Sequence, residues 1–280
     1  MDKRASYPTD VTDEQWSRLE PLIPAAKCGG RPSRYARREI VNAVFYQLRG
    51  GAAWRMMPHD LPPWGITYHY WRVWRKEGVW ERAHDILRSE VRQAVGKNAQ
   101  PSAGIVDSQS VKTTDRGGVH GYDAGKKING RKRHVLVDTL GLIWLVVVTA
   151  ASVQDRDGAK TLLATLSSRM RRLRLIWVDG GYAGALVGWM ASLRKWGKVR
   201  LELVARNPQG KGFQRLPHPW IVERTFGWLN RWRRLSKDYE HLTDTSECTI
   251  RVVMIYLMVR RLAPPKRRRR ERRSRRRRLF

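Results

Sequence analysis

His134-Val-Leu-Val-Asp-Thr-Leu-Gly-Leu-Ile-Trp-Leu-Val-Val-Val148 contains two short apolar runs, His134–Val137 and Leu142–Val148, separated by Asp138-Thr-Leu-Gly141. Runs rich in Val, Ile and Leu that are too short for helices, with an Asp and a Gly between them, predict a hairpin of two strands. Upstream, Gly104–Val106 predicts a strand that precedes this hairpin. Downstream, Leu173–Val178 and Val199–Ala205 predict a fourth and a fifth. Helical patterns separate them. Asp155-Arg-Asp157 opens one to about Arg169, Tyr182–Trp196 forms the next, and Pro219–Leu235 begins with a proline suited to a first helical turn.

Three strands, helix, strand, helix, strand, helix is the order of an α/β, RNase H-like core, a mixed sheet with helices on both faces. In such sheets ligands gather at strand ends, and two carboxylates lie there. Asp107 closes the strand in Ser102-Ala-Gly-Ile-Val-Asp-Ser-Gln-Ser110, and Asp179 closes the one in Leu175-Ile-Trp-Val-Asp-Gly-Gly-Tyr182. The order makes those strands neighbours. A third acid, Glu223, lies in the first turn of the Trp/Arg-rich helix and shares its face with Gly227 and Asn230. Taken singly, each acid has a structural explanation: a strand end, a turn before Gly180-Gly181, a complement to a helix N-terminus. Together they form the set a metal-dependent phosphoryl-transfer site requires. Hard oxygen ligands select Mg²⁺ or Mn²⁺, with two ions expected to act on the attacking and leaving oxygens.

Residues 1–100 read differently, as helices with turn chemistry between them. Thr12 with Gln15 forms a capping start, Tyr35–Arg49 has helical spacing, and Cys28-Gly-Gly-Arg-Pro32 is a turn. Thr67–Glu77 is aromatic and basic at once, which suggests a helix-turn-helix-like DNA reader; the competing reading is a helical bundle with a Trp/Tyr core. The composition points to the same partner. Lys and Arg number 56 against 25 acids, a net charge of +31, and such a field attracts polyanions, nucleic acid first. Against a membrane, the longest apolar run, Val252–Val259, is far too short to span and reads as a buried helix. No secretory signal is evident at Met1–Pro8, and Cys28 and Cys248 are too few for a disulfide framework, so a bacterial cytoplasmic, nucleoid-associated protein is expected. Residues 264–280 carry 11 basic residues and one acid, and predict a disordered tail. The division is therefore 1–100 helical and DNA-end-binding, 101–263 catalytic, and 264–280 tail.

The blocks Ile105–Lys112, Gly125–Leu142, Val153–Ala159, Trp177–Gly184 and Val222–Tyr239, with Leu19–Pro24 and Trp54–Pro58, closely resemble DDE transposases of the insertion-sequence-five family. The resemblance runs from about Asp10 to Leu262; the arginine tail departs from it. It implies a catalytic core that uses Asp107, Asp179 and Glu223 to bind divalent metal, nick inverted-repeat ends and join the freed 3′ hydroxyls to target DNA. Double-stranded DNA, as terminal repeats and target, would be the partner, with at least a homodimer pairing two ends. Expected DNA contacts are Arg72, Arg75 and Lys76 on the basic aromatic helix. A Gly-rich loop from Lys112 to His134 would add Lys126, Lys127, Arg131, Lys132 and Arg133, and the catalytic helix Arg224, Arg231, Arg233 and Arg234. The alternatives are a repurposed DNA-binding protein with a dormant core and an RNase H-like nuclease that does not transpose.

Overall fold

The Thr12 hydroxyl accepts from the Gln15 N–H (3.2 Å) while the Gln15 side chain accepts from the Thr12 N–H (3.1 Å). This reciprocal cap starts α1 (Asp13–Leu19), and Pro21 lies in the 3₁₀ turn that follows it. The computed structural model describes residues 4–25, 34–115, 117–166, 170–182, 185–192, 199–204 and 219–265. The expected turn at Cys28–Pro32, the helix end at Trp196, the loop Asn207–Pro217 and the tail from Lys266 lie outside the described residues. Among the described residues of the first hundred, three further α-helices follow: α2 (Arg37–Gly50), α3 (Trp64–Lys76) and α4 (Val79–Ala94). Gly51 (φ 71°) ends α2 and Gly78 (φ 67°) turns the chain between α3 and α4, both in the left-handed region that glycine enters without cost to a side chain.

The sheet follows. Its strands are β1 (Ala103–Lys112), β2 (Gly121–Asp123), β3 (Ile128–Asp138), β4 (Ile143–Ala150), β5 (Leu175–Asp179) and β6 (Arg200–Val204). β3 pairs antiparallel with β1, β2 and β4, whereas β1–β5 and β5–β6 are parallel, giving a mixed sheet with β1 at its centre. Helices α5 (Asp155–Ala164) and α6 (Ala185–Ser192) link the parallel strands, and α7 (Pro219–Asn230), α8 (Arg233–Ser236) and α9 (Thr243–Leu262) follow them.

Strand alternation sorts the two faces. Ile105, Val135 and Val137 point into one core with Val222, Phe226 and Leu229 of α7, the apolar side of α9 and the aromatic residues Trp71, Trp74 and Trp80. Val106 and Leu136 point the other way, to Ala159, Leu162 and Leu163 of α5 and Leu186 and Met190 of α6. The first core runs without a break from α1–α4 through α9 to the sheet. The run Val252–Val259 lies inside α9, almost all of it buried, and among the described residues no helix is long and apolar enough to cross a membrane.

Several expectations need correction. β1 extends six residues past Val106 and β3 begins six before His134, so nearly half of the expected loop Lys112–His134, including Arg131, Lys132 and Arg133, is strand. Only the tight turn at Lys126–Lys127 remains of its basic centre, with Lys127 at φ 53°. The helix after Val153 stops at Ala164, and Asp155 and Asp157 are in its first turn while Gln154 holds the cap position. The helix expected over Pro219–Leu235 stops at Asn230: Trp232 is extended (φ −101°, ψ 115°) and buried, and Arg233 starts a separate short helix.

Candidate active site

β1 and β5 are in register at Ile105↔Trp177, so Asp107 and Asp179 each lie two residues beyond the same rung of adjacent parallel strands. Asp107 is half-buried and Asp179 exposed. The Asp107 carboxylate accepts from the Ser108 N–H at 2.7 Å, and Asp179 accepts from the Gly181 N–H at 3.0 Å, which holds the Gly-Gly turn. Burial pushes the Asp107 carboxyl up to about 7, against the Ser108 hydrogen bond and the Lys126 charge; the negative charges of Asp179 and Asp155 add to the rise. Asp107 does not close its strand as expected, since β1 continues to Lys112, whereas Asp179 does end β5; a hard cation relieves such a buried carboxyl, and paired oxygen donors suit Mg²⁺ or Mn²⁺. Asp107 and Asp179 fit it.

Glu223 is exposed on the first turns of α7. Its row on the helix, Glu223, Gly227 and Asn230, is solvent-facing throughout, and Asn230 Oδ1 accepts from Gln109 Nε2 at 3.4 Å. That contact turns the row toward β1. The third acid does not close on the other two: among the described residues no group of three His, Cys, Asp or Glu side chains is placed to hold a metal ion.

Beneath Asp107, on the α5 side of the sheet, lies a polar network that the spacing of acids does not reveal. Ser108 Oγ donates to Asp155 (2.7 Å), Ser110 Oγ donates to Asp123 (2.6 Å), and the buried Lys132 ammonium bridges Asp123 (3.2 Å) and Asp155 (2.9 Å). Lys126 Nζ reaches the Ser108 carbonyl at 3.3 Å. These contacts hold the Asp123 carboxyl down at about 2 in spite of burial, through Ser110, the Lys126 N–H and Lys132. Ser108 faces His134 and Ser110 faces Lys132 across the β1–β3 ladder. A period-two reading carried through Ser-Gln-Ser and Arg-Lys-Arg would have found them.

The same alternation overturns part of the expected DNA-contact set. Arg131 and Arg133 are fully buried on the opposite face. Arg131 pairs with Asp238 (3.1 Å) and donates to the carbonyls of Val119, Glu240 and His241. Arg133 donates to the carbonyl of Leu235 at 2.9 Å. Arg131 and Arg133 are internal struts that fasten the chain after α7 to the sheet, while Lys132 ties β3 to Asp123 and Asp155 on the other face, and none of the three presents free donors to solvent as a phosphate track needs. Arg234 is also buried, paired with Glu240 at 2.7 Å. Asp138, buried, is bound by Arg92 (2.5 Å) and caps its own turn through the Leu140 and Leu142 N–H groups. Of the others, Arg72, Lys76, Lys126, Lys127, Arg231 and Arg233 are exposed, Arg75 is half-buried against Asp244 (2.5 Å), and Arg224 is half-buried between Trp220 and Trp228.

Comparison with known proteins matches residues 98–258, more than half of the chain, to the family described as transposase DDE domain. The chain belongs to that family. Residues 11–84 match a second family, described as putative transposase of IS4/5 family. Among curated relatives, an insertion element IS402 uncharacterized 16.2 kDa protein of Burkholderia cepacia is 30% identical over 113 residues, which cover 38% of this chain and 76% of the relative. A putative transposase for insertion sequence element IS402, from the same organism, is 27% identical over 122 residues, 41% of this chain and 56% of the relative. The protein is thus a DDE insertion-sequence transposase, and the sheet that carries Asp107 and Asp179 falls inside the matched DDE segment.

Proposed function

We propose that this transposase binds the inverted-repeat ends of its insertion sequence, nicks them and joins the freed 3′ ends to target DNA, through an RNase H-like core with Asp107, Asp179 and Glu223 as catalytic acids. The observation that carries the reading is the shared register of β1 and β5, which sets two carboxylates on adjacent parallel strands, Asp107 midway along β1 and Asp179 at the end of β5. The sheet order β4-β3-β1-β5-β6 and the crossing of α7 toward β1 support it. Asp107 and Asp179 would hold Mg²⁺ or Mn²⁺, with Glu223 joining when DNA closes α7 over the strand ends. The ion would supply charge stabilisation at the phosphate under attack.

In nicking, a water oxygen bonds to phosphorus as the bond from phosphorus to the 3′ oxygen breaks, and that oxygen takes a proton. In joining, the 3′ hydroxyl attacks a target phosphodiester, so one phosphate ester forms as another breaks and no external energy source is needed. The Ser108–Asp155–Lys132–Asp123 network holds β1 in register during both steps. Exposed Arg72 and Lys76 on α3 would contact the repeat, consistent with residues 1–100 as the end-binding part and 101–263 as the catalytic part. Pairing two ends would require at least a dimer on DNA.

The test is nicking of duplexes with and without the flanking inverted repeats, in Mg²⁺. Asp107→Asn, Asp179→Asn and Glu223→Gln should each abolish nicking while leaving binding to the ends intact. Full activity of any one variant removes that residue from the site, and equal cutting of both duplexes makes the protein a nuclease that does not transpose.

A further inference from the structure

One face of α7 presents Trp220, Arg224 and Trp228 at successive four-residue steps, and a second arginine meets it from the end of α9. The Arg224 guanidinium lies 4.8 Å from the centre of the Trp228 ring and 4.6 Å from that of Trp220, and Arg261 lies 4.4 Å from Trp228. Arg224 donates to the Leu140 carbonyl at 3.0 Å, and Arg260 to the Tyr256 hydroxyl at 2.7 Å. The three arginines, with Trp228, Leu140 and Pro264, line a cleft of about 460 Å³.

This cluster lacks what the protein supplies to most of its buried arginines, Arg133, which binds carbonyls, being the exception. Arg88, Arg92, Arg131 and Arg234 each meet a carboxylate. Among the described residues, Arg224, Arg260 and Arg261 have no ion-pair partner. Asp138, the acid whose charge reaches Arg224 and Arg261, is already bound by Arg92 and by its own turn. Two guanidiniums gathered on one indole without a counter-charge repel each other, and the indole faces offset only part of that. An anion entering the cleft removes the repulsion and accepts from planar donor forks suited to phosphate oxygens.

We propose that the Arg224–Arg260–Arg261 cleft is a phosphate-binding site that grips the backbone of duplex DNA, beside Glu223 and separate from the carboxylate centre. It rests on the functional reading only in taking DNA as the substrate. Arg224 follows Glu223 directly on α7, so a backbone held there lies next to the acid-bearing face of the helix. In the sequence, Arg260 and Arg261 stand shortly before the arginine-rich run Lys266–Arg278.

The test measures binding of a short duplex to the full chain carrying Asp107→Asn, so that nothing is cut, across a series of salt concentrations. Arg224→Ala with Arg261→Ala is compared with Arg82→Ala and Arg200→Ala, which remove the same charge from exposed positions elsewhere. The cleft pair should weaken binding about tenfold or more and lower the salt slope by roughly 0.9 per phosphate released; the control pair should cost less than about threefold. Equal losses overturn the site, as does a cleft pair that loses pyrophosphate binding but keeps its grip on the duplex. Should the double variant melt below its parent, Arg261→Glu, at an exposed side chain, decides by the same criteria. Failure to nick repeats, with the binding difference intact, defeats the catalytic reading and leaves this site standing; a parent that does not bind duplex at all defeats both.

Discussion

Lys132 and Arg131 are adjacent in β3 and buried on opposite faces, each against acids: Lys132 against Asp123 and Asp155, Arg131 against Asp238. Taking such ions from water costs several kcal/mol each, and the return depends on nearly every donor being met, so these residues contribute a unique register more than net stability. Their neighbour His134 is buried with one ring nitrogen bonded to the Thr149 hydroxyl (3.0 Å), and α5 approaches so closely that a Cβ on Gly158 would overlap the ring. Burial lowers the pKa of His134, and likewise that of His84 on α4, to about 4. Both histidines are neutral in the fold and protonate more readily when unfolded. Their contribution is therefore complete above the unfolded value of about 6.5 and is lost as pH falls from there toward about 4, by up to about 3 kcal/mol for each. Denaturant titrations should show stability falling across that window, and His134→Gln should fall less steeply than the parent. Parallel curves would mean that His134 carries a proton in the native state. None of this burial was legible where basic residues were read by type, because Arg-Lys-Arg suggests a surface; an alternating strand buries all three only when each face offers carbonyls and carboxylates.

At the scale of elements, apolar runs located every strand that has an apolar centre, and Asp107 and Asp179 were readable because those runs end on them. The strand ends were not readable. β1 continues through Ser-Gln-Ser-Val-Lys because its partner β3 supplies hydrogen bonds and its polar side chains find Asp123 and Asp155, which are remote in sequence. The break after Asn230 has the same kind of cause: Arg133 and Arg49 bind the carbonyls of Leu235 and Arg231, so the chain leaves helical geometry to meet them. In α3 the two readings of its aromatic residues divide by face. Trp71 and Trp74 are core, whereas Tyr68, His69, Arg72 and Lys76 form an exposed stripe. Replacing Arg72, Arg75 and Lys76 with Ala should weaken binding to terminal repeats more than to arbitrary duplex, measured by competition. Because Arg75 also holds Asp244 at the start of α9, Arg72→Ala with Lys76→Ala alone separates lost contact from a loosened helix. An unchanged footprint on the repeats in that double variant would make α3 scaffold.

At the scale of the whole molecule, one continuous core joins the first four helices to the sheet through α9, so end recognition and catalysis would share a rigid body. A net charge of +31 surrounds that body, yet part of its arginine is spent internally: Arg131, Arg133 and Arg234 bind carbonyls and carboxylates and add little to the surface that DNA meets. The weight of non-specific attraction would then fall on the exposed remainder and on residues 264–280, with 11 basic residues and one acid. A segment of that composition, with only Leu279 and Phe280 as large apolar side chains, has too few to build a frame that would align side chains with base edges, so its contribution to binding would be counterion release, roughly 0.9 in salt slope for each phosphate neutralised. Deleting residues 264–280 should lower affinity for repeat and arbitrary duplex by similar factors, flatten the salt dependence of both, and leave nicking intact at low salt. Titration of the two duplexes against the truncated and full-length proteins over a range of salt checks this. If truncation erases the preference for repeats, the segment reads sequence, and the recognition assigned to α3 belongs in part to the arginines beyond α9.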